Sequence, residues 1–150
     1  MSAVTMLVLN DMRDDARVKR EARSLAAEGH AVEVLALRAD DLPETEVSDG
    51  FTVRRVADFT RATLRQPTRK LAERRARVQA LHSAVIDSRP DIIHCHDTNT
   101  LDAGVAAARA LGVPYVYDAH ELYPDSLTQR PFQGSFLVQR YLRALEARSI

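Results

Sequence analysis

The chain holds no tryptophan, a single cysteine and only five glycines, at positions 29, 50, 104, 112 and 134. Each shortage excludes something. Glycines so scattered form neither the G-x-G-x-x-G turn of a dinucleotide site nor the G-x-x-x-x-G-K-[ST] loop of a triphosphate site. This stretch of protein therefore has no glycine-rich phosphate cradle of either kind. The lone Cys95 excludes an internal disulfide and suits a reducing cytoplasm. Cationic and anionic side chains balance at 21 each, for a formal net charge of zero. That removes a global pull toward nucleic acid, and the few aromatics leave little on which bases would stack. The apolar start, Met1 to Asn10, lacks the basic first region and small-residue cleavage site of a signal peptide. It is also too short to span a bilayer, so it reads as a strand.

What remains is a 150-residue chain of ordinary apolar content, 45%, enough for one domain with a core of its own. Val4 to Asn10 is the first expected strand. Asp14 or Asp15 caps a helix to about Glu28, with Val18, Ala22, Leu25 and Ala26 on its inner face and Gly29 as its stop. Ala31 to Leu37 is the second strand, Asp40 to Gly50 a polar loop, and Phe51 to Val56 a third, weaker strand at a sheet edge. Phe59 to Pro67 reads as irregular, and Thr68 to Ser88 as a long helix with Leu71, Val78, Leu81 and Val85 inward. Asp91 to Cys95 is the fourth strand. A small-residue helix starts at Thr98 or Asn99 and closes at Gly112, and Pro114 to Asp118 is the fifth strand. Tyr123 to Gln133 is a loop, and a last helix starts near Gly134. That helix has neither cap nor stop, so the chain is expected to be the first part of a longer protein.

Strands interleaved with helices imply an α/β fold, a Rossmann-like parallel sheet of order 3-2-1-4-5 flanked by helices. Its switch point falls between the first and fourth strands, flanked by Asn10 to Asp15 and His96 to Asn99. In open α/β sheets ligands bind beyond the carboxyl ends of the strands, at such a point. There the sequence concentrates its chemistry. Two short apolar runs end abruptly in His94, His96 and Asp97, and in His120 and Glu121. Core packing alone would not choose so many imidazoles and carboxylates at two strand ends.

The residues Asp15-Ala16-Arg17-Val18-Lys19-Arg20-Glu21-Ala22, then Leu25, then Gly29-His30-Ala31-Val32-Glu33-Val34 resemble the start of family 4-type glycosyltransferases of the GT-B fold. Asp91-Ile92-Ile93-His94-Cys95-His96-Asp97 resembles that family's "D-hydrophobic-hydrophobic-H-x-H-[DE]" strand. Val113-Pro114-Tyr115-Val116-Tyr117-Asp118-Ala119-His120-Glu121 resembles the next strand, which ends in the family's active-site histidine. The resemblance covers nearly the whole chain, in order. It implies the N-terminal, acceptor-side half of a retaining enzyme, with a C-terminal donor-binding domain as partner. It also implies a nucleotide-sugar donor as co-substrate, a glycan, lipid-linked or small-molecule acceptor, and no metal or other cofactor. One departure is the loop after the first strand, Asp11-Met12-Arg13-Asp14-Asp15, where many members carry a Gly-Gly pair beside the donor phosphate.

By that resemblance His120 is the catalytic residue, stabilising charge that develops at the anomeric centre. Asp11, Arg13, Arg17, His96, Asp97 and Glu121 are the expected substrate-binding residues. Bland readings stand beside these. His120 alone reads equally as a core histidine, His94 as buried and hydrogen-bonded, and Asp15 and Arg17 as a cap and pair in the first helical turn. Asp118 and Glu121 would order His120 or cap the next segment. His94 and His96 alternate and so face one side of the strand. That spacing also suits a metal, with His120 or Asp97 completing the set, as in a metal-dependent hydrolase. A non-catalytic binding module is a second rival. The cationic run Arg61, Arg65, Arg69, Lys70, Arg74, Arg75 and Arg77 reads as a solvated helix face. Its functional reading is contact with an anionic surface: acidic lipid head groups, as at the inner face of the membrane, or a phosphate-bearing acceptor.

Overall fold

The sheet order follows from which strands are apolar on both faces. In the computed structural model, which describes residues 1–56 and 67–119 (backbone alone for 67–71), six strands form one sheet. The elements in chain order are β1 (Ala3–Leu7), α1 (Ala16–Ala27), β2 (Ala31–Leu37), β3 (Thr45–Ser48), β4 (Phe51–Val56), α2 (Pro67–Ser88), β5 (Ile92–His96), α3 (Thr98–Leu111) and β6 (Tyr115–Asp118). Their spatial order is β3-β4-β2-β1-β5-β6. β1 lies at the centre, parallel to β2 on one side and to β5 on the other. The parallel core β4-β2-β1-β5-β6 is the expected order of five strands.

The correction is β3. The stretch read as a polar loop contains a strand antiparallel to β4, with Ser48 opposite Phe51. The physical reason is Asp49-Gly50. Both residues have positive φ, 50° and 87°, as a two-residue hairpin turn requires. β4 is thereby covered by β3 and is not the edge. The irregular stretch Phe59 to Pro67 lies mostly outside the described residues, as do the loop and helix expected after His120.

Alternation along each strand splits the core in two. Val4, Met6 and Val8 point to the α1 side with Val18, Ala22, Val32, Val34, Phe51 and Val53. Leu7, Leu35, Ile93 and Cys95 point to the opposite side, where Leu81 and Val85 of α2 and Leu101, Ala103 and Ala107 of α3 cover them. Leu25 and Ala26 complete the inner face of α1, and Val78 that of α2. β5 and β6 are unlike β1 on the α1 side, because there they carry His94, His96, Val116 and Asp118. Val116 is 49% exposed.

Helix ends follow local chemistry. Asp15 caps α1, its carboxylate accepting from the Val18 amide at 3.1 Å. α1 ends before Gly29 at φ 87°, and Gly112 closes α3 in the left-handed conformation at φ 70°. Arg54 of β4 fastens α2 to the sheet by binding Glu33 of β2 at 2.8 Å and the Ala84 carbonyl at 2.9 Å.

Candidate functional site

β1 and β5 are neighbours whose following connections part to opposite faces, so their carboxyl ends leave a crevice. Two connections shape it. After β1, Asn10 accepts from the Met12 amide at 2.9 Å and donates to Asp15 at 2.7 Å. This draws the loop into a tight turn with Met12 buried at φ 64°. After β5, Asp97 sits at φ 64°, ψ 158°. Only glycine adopts that region freely, and other residues are strained there by about 1–3 kcal/mol. The strain is held by hydrogen bonds: the Asp97 amide donates to the Asp118 carbonyl at 3.0 Å, and the Thr100 hydroxyl donates to the His96 carbonyl at 2.8 Å.

Between the two turns lies a polar cavity of about 110 Å³, lined by Asn10, Asp15, Arg17, His96, Asp97 and Asn99. The Asp97 carboxylate makes no capping bond to α3, although Asp97 is the N-cap residue. The Arg17 Nε is buried and has no hydrogen-bond partner among the described residues. A polar cavity with such a donor, a carboxylate and two amide side chains can read the hydroxyls of a sugar.

On the α1 side, just behind this cavity, His94 and His96 stack with ring centroids 4.2 Å apart. His96 is only 2% exposed. Its Nε2 lies 3.9 Å from Glu21 of α1 and its Nδ1 lies 3.7 Å from Asp118 of β6. His94 is partly buried and, with Glu21, borders a second cavity of about 530 Å³. That cavity has otherwise mainly apolar walls, including Val4, Leu25, Ile92 and Val116. The sequence reads His94 as buried and hydrogen-bonded; it is only partly buried, because β5 runs one residue further than expected, to His96, whose imidazole is the enclosed one. Cys95, between them in sequence, faces α3. Burial pushes its thiol up to about 12, so it is no nucleophile at neutral pH.

Of the expected site residues, Arg17, His96 and Asp97 meet at the polar cavity. Asp11 and Arg13 are not among its lining residues. Arg13 pairs with Asp41 at 2.6 Å, the Asp11 carbonyl accepts from the buried Arg55 at 3.0 Å, and the hydrogen bond from Arg13 holds the Asp41 carboxyl below its ordinary range. His120 and Glu121 lie outside the described residues. Asn10, Asn99 and Glu21 join the site without having been expected. Glu21 had a signal: three residues after Val18 and four before Leu25, it places a carboxylate on the inward face of α1. In the cationic run, Arg74 pairs with Asp102 of α3. Arg61 and Arg65 lie outside the described residues.

A family model described as "Glycosyl transferase 4-like domain" matches residues 15–150. The chain belongs to that family. No curated protein sequence matches this glycosyltransferase domain. Among solved structures, sucrose-phosphate synthase from Thermosynechococcus elongatus superposes with a TM-score of 0.74 at 13% identity, over 97% of this chain and 40% of that one. The glycotransferase of kitacinnamycin gives 0.54 at 17%, over 99% and 40%. UGT89C1 of Arabidopsis thaliana, complexed with UDP, gives 0.53 at 12%, over 92% and 41%. At such identities the likeness is one of fold, that of GT-B glycosyltransferases. The domain spans about two fifths of the length of these relatives.

Proposed function

We propose that this domain forms the acceptor side of a retaining glycosyltransferase. A sugar would pass from a nucleotide-sugar donor to a glycan, a lipid-linked or a small-molecule acceptor. The observation that carries the reading is the polar cavity at the β1–β5 switch point, where a strained Asp97, an enclosed His96 and a buried Arg17 N–H converge. Strain of this kind at a strand end is characteristic of binding sites. UDP in the UGT89C1 structure supports a nucleotide-activated donor. With no glycine-rich loop in the chain, the donor is assigned to a separate C-terminal domain; the family resemblance assigns the transfer to a metal-free electrostatic mechanism, and the lone Cys95 suits an enzyme of the cytoplasm. The cationic run from Arg61 to Arg77 supports docking at anionic lipid. Among the described residues no helix is long and apolar enough to cross a membrane.

In this mechanism Arg17, His96 and Asp97 orient the acceptor; the resemblance adds Asp11, Arg13 and Glu121 as further substrate-binding residues. His120, two residues beyond Asp118, stabilises charge at the anomeric centre. Steady-state kinetics of the full-length enzyme test it. His120→Ala should keep the fold and lower turnover by about 100-fold or more, the scale of losing one well-placed electrostatic group. His82→Ala, on α2 and remote from the strand ends, should leave turnover unchanged. Near-normal turnover in His120→Ala would remove the assignment.

A further inference from the structure

We propose that Glu21, His94, His96 and Asp118 bind one divalent transition-metal ion, zinc by the chemistry of the donors. The four come from three elements, α1, β5 and β6. Each offers one donor atom, and the four atoms lie within 4.8 Å of one another. A tetrahedral zinc with bonds of about 2.0–2.2 Å needs its donors about 3.4 Å apart. Only one ring nitrogen of His96 takes the ion, so one carboxylate already stands near that spacing: Glu21 at 3.9 Å from Nε2, or Asp118 at 3.7 Å from Nδ1. The remaining donors lie within 4.8 Å, and shifts of about 1–1.5 Å in the partly exposed side chains would bring them to the tetrahedral distance.

Donor type selects the ion. Calcium and magnesium take six or more oxygens or keep their water, whereas two imidazoles with two carboxylates suit a borderline ion such as zinc. The two carboxylates also balance the ion's charge in a setting where His96 is almost fully enclosed. Each His96 nitrogen faces one of them. Access is present as well. Glu21 and His94 border the 530 Å³ cavity, and the Glu21 and Asp118 side chains are 31% and 29% exposed.

The ion would clamp α1 to the carboxyl ends of β5 and β6, the strand ends that carry Asp97 and lead into His120. It is a scaffold metal that would fix His96 at the wall of the polar cavity without contacting the reacting sugar, and zinc binding is read without transfer, so the site and the transfer reading fail separately. It revises the metal-free expectation, which considered only His120 and Asp97 as further ligands and left Glu21 out.

Calorimetric titration of the chelator-treated full chain with zinc alone tests it. One ion per chain should bind at roughly micromolar affinity or tighter. Glu21→Gln, which keeps the side chain's shape, and His94→Ala should each weaken binding at least about 10-fold, and His82→Ala should not. Cobalt in place of zinc should show the intense visible absorption of a tetrahedral ion. Zinc should raise the melting temperature of the unsubstituted chain and not that of Glu21→Gln. Binding weaker than about 100 μM, or binding equal in all variants, overturns the site.

Discussion

Asp97 holds a backbone conformation that costs free energy and a carboxylate that does not cap its own helix. Neither feature helps the fold, so both should be separable from stability. Asp97→Gly relieves about 1–3 kcal/mol of strain and adds about 0.5–1 kcal/mol of unfolded-chain entropy. Denaturant unfolding should therefore find the variant as stable as the parent or up to about 2 kcal/mol more so, while acceptor binding by the full-length enzyme falls. A stability loss above about 1 kcal/mol would show instead that the carboxylate is structural. At this scale the sequence was legible where chemistry was concentrated. His94, His96 and Asp97 end an apolar run, and a polar cluster at a strand end has few structural uses. It was less legible where one residue serves two patterns. Glu21 falls on the inward face of α1 by its spacing, but its use is not legible until β5 and β6 set two imidazoles and a carboxylate opposite it. Asp11 and Arg13 are drawn away from the cavity by Asp41 and Arg55, partners 28 or more residues distant that periodicity does not reveal.

Elements were legible in proportion to how far local sequence decides them. α1, α3 and β2 match expectation because caps, stops and apolar stripes agree. β3 was missed because Thr45-Glu46-Val47-Ser48 sits among acidic residues and has only an intermediate or exposed pattern. Its signal was the Asp-Gly turn, not its hydrophobicity. The contact of α3 with β5 was not legible either, since it rests on how closely two backbones approach. Gly104 makes that approach possible. A Cβ there would collide with the Cys95 sulfur and stand 3.2 Å from Leu7 Cδ1. Both neighbours are fully buried in the α2–α3 core, so neither can move aside freely. Gly104→Ala should thus destabilise the chain by about 1–3 kcal/mol, the usual cost of overpacking, despite alanine's better helix propensity. Thermal or denaturant melts decide it; a variant as stable as the parent would show that α3 can lift off β5 without loss.

For the whole molecule, strand–helix alternation made the parallel core and its switch point legible, because right-handed crossovers leave few topologies for such a chain. The cavity at that switch point and the larger one beside α1 limit what the domain does by itself. Pockets that enclose a drug-sized ligand measure about 300–1,000 Å³. The polar cavity, at about 110 Å³, has room for part of one sugar ring and not for a nucleotide sugar. The 530 Å³ cavity is large enough but mainly apolar, which suits neither ribose nor diphosphate. No glycine-rich loop supplies backbone amides for phosphate. Holding donor and acceptor together can provide about 7–11 kcal/mol of a transfer barrier, and on the function proposed above this domain provides one wall of that arrangement. Calorimetric titration of the 150-residue chain with a panel of nucleotide sugars should therefore show dissociation constants weaker than about 1 mM, or binding energies below roughly 4 kcal/mol. Sugar transfer by the same chain should be undetectable. Tight nucleotide-sugar binding or steady transfer would place the donor site within these residues and overturn the division between acceptor-side and donor-side domains.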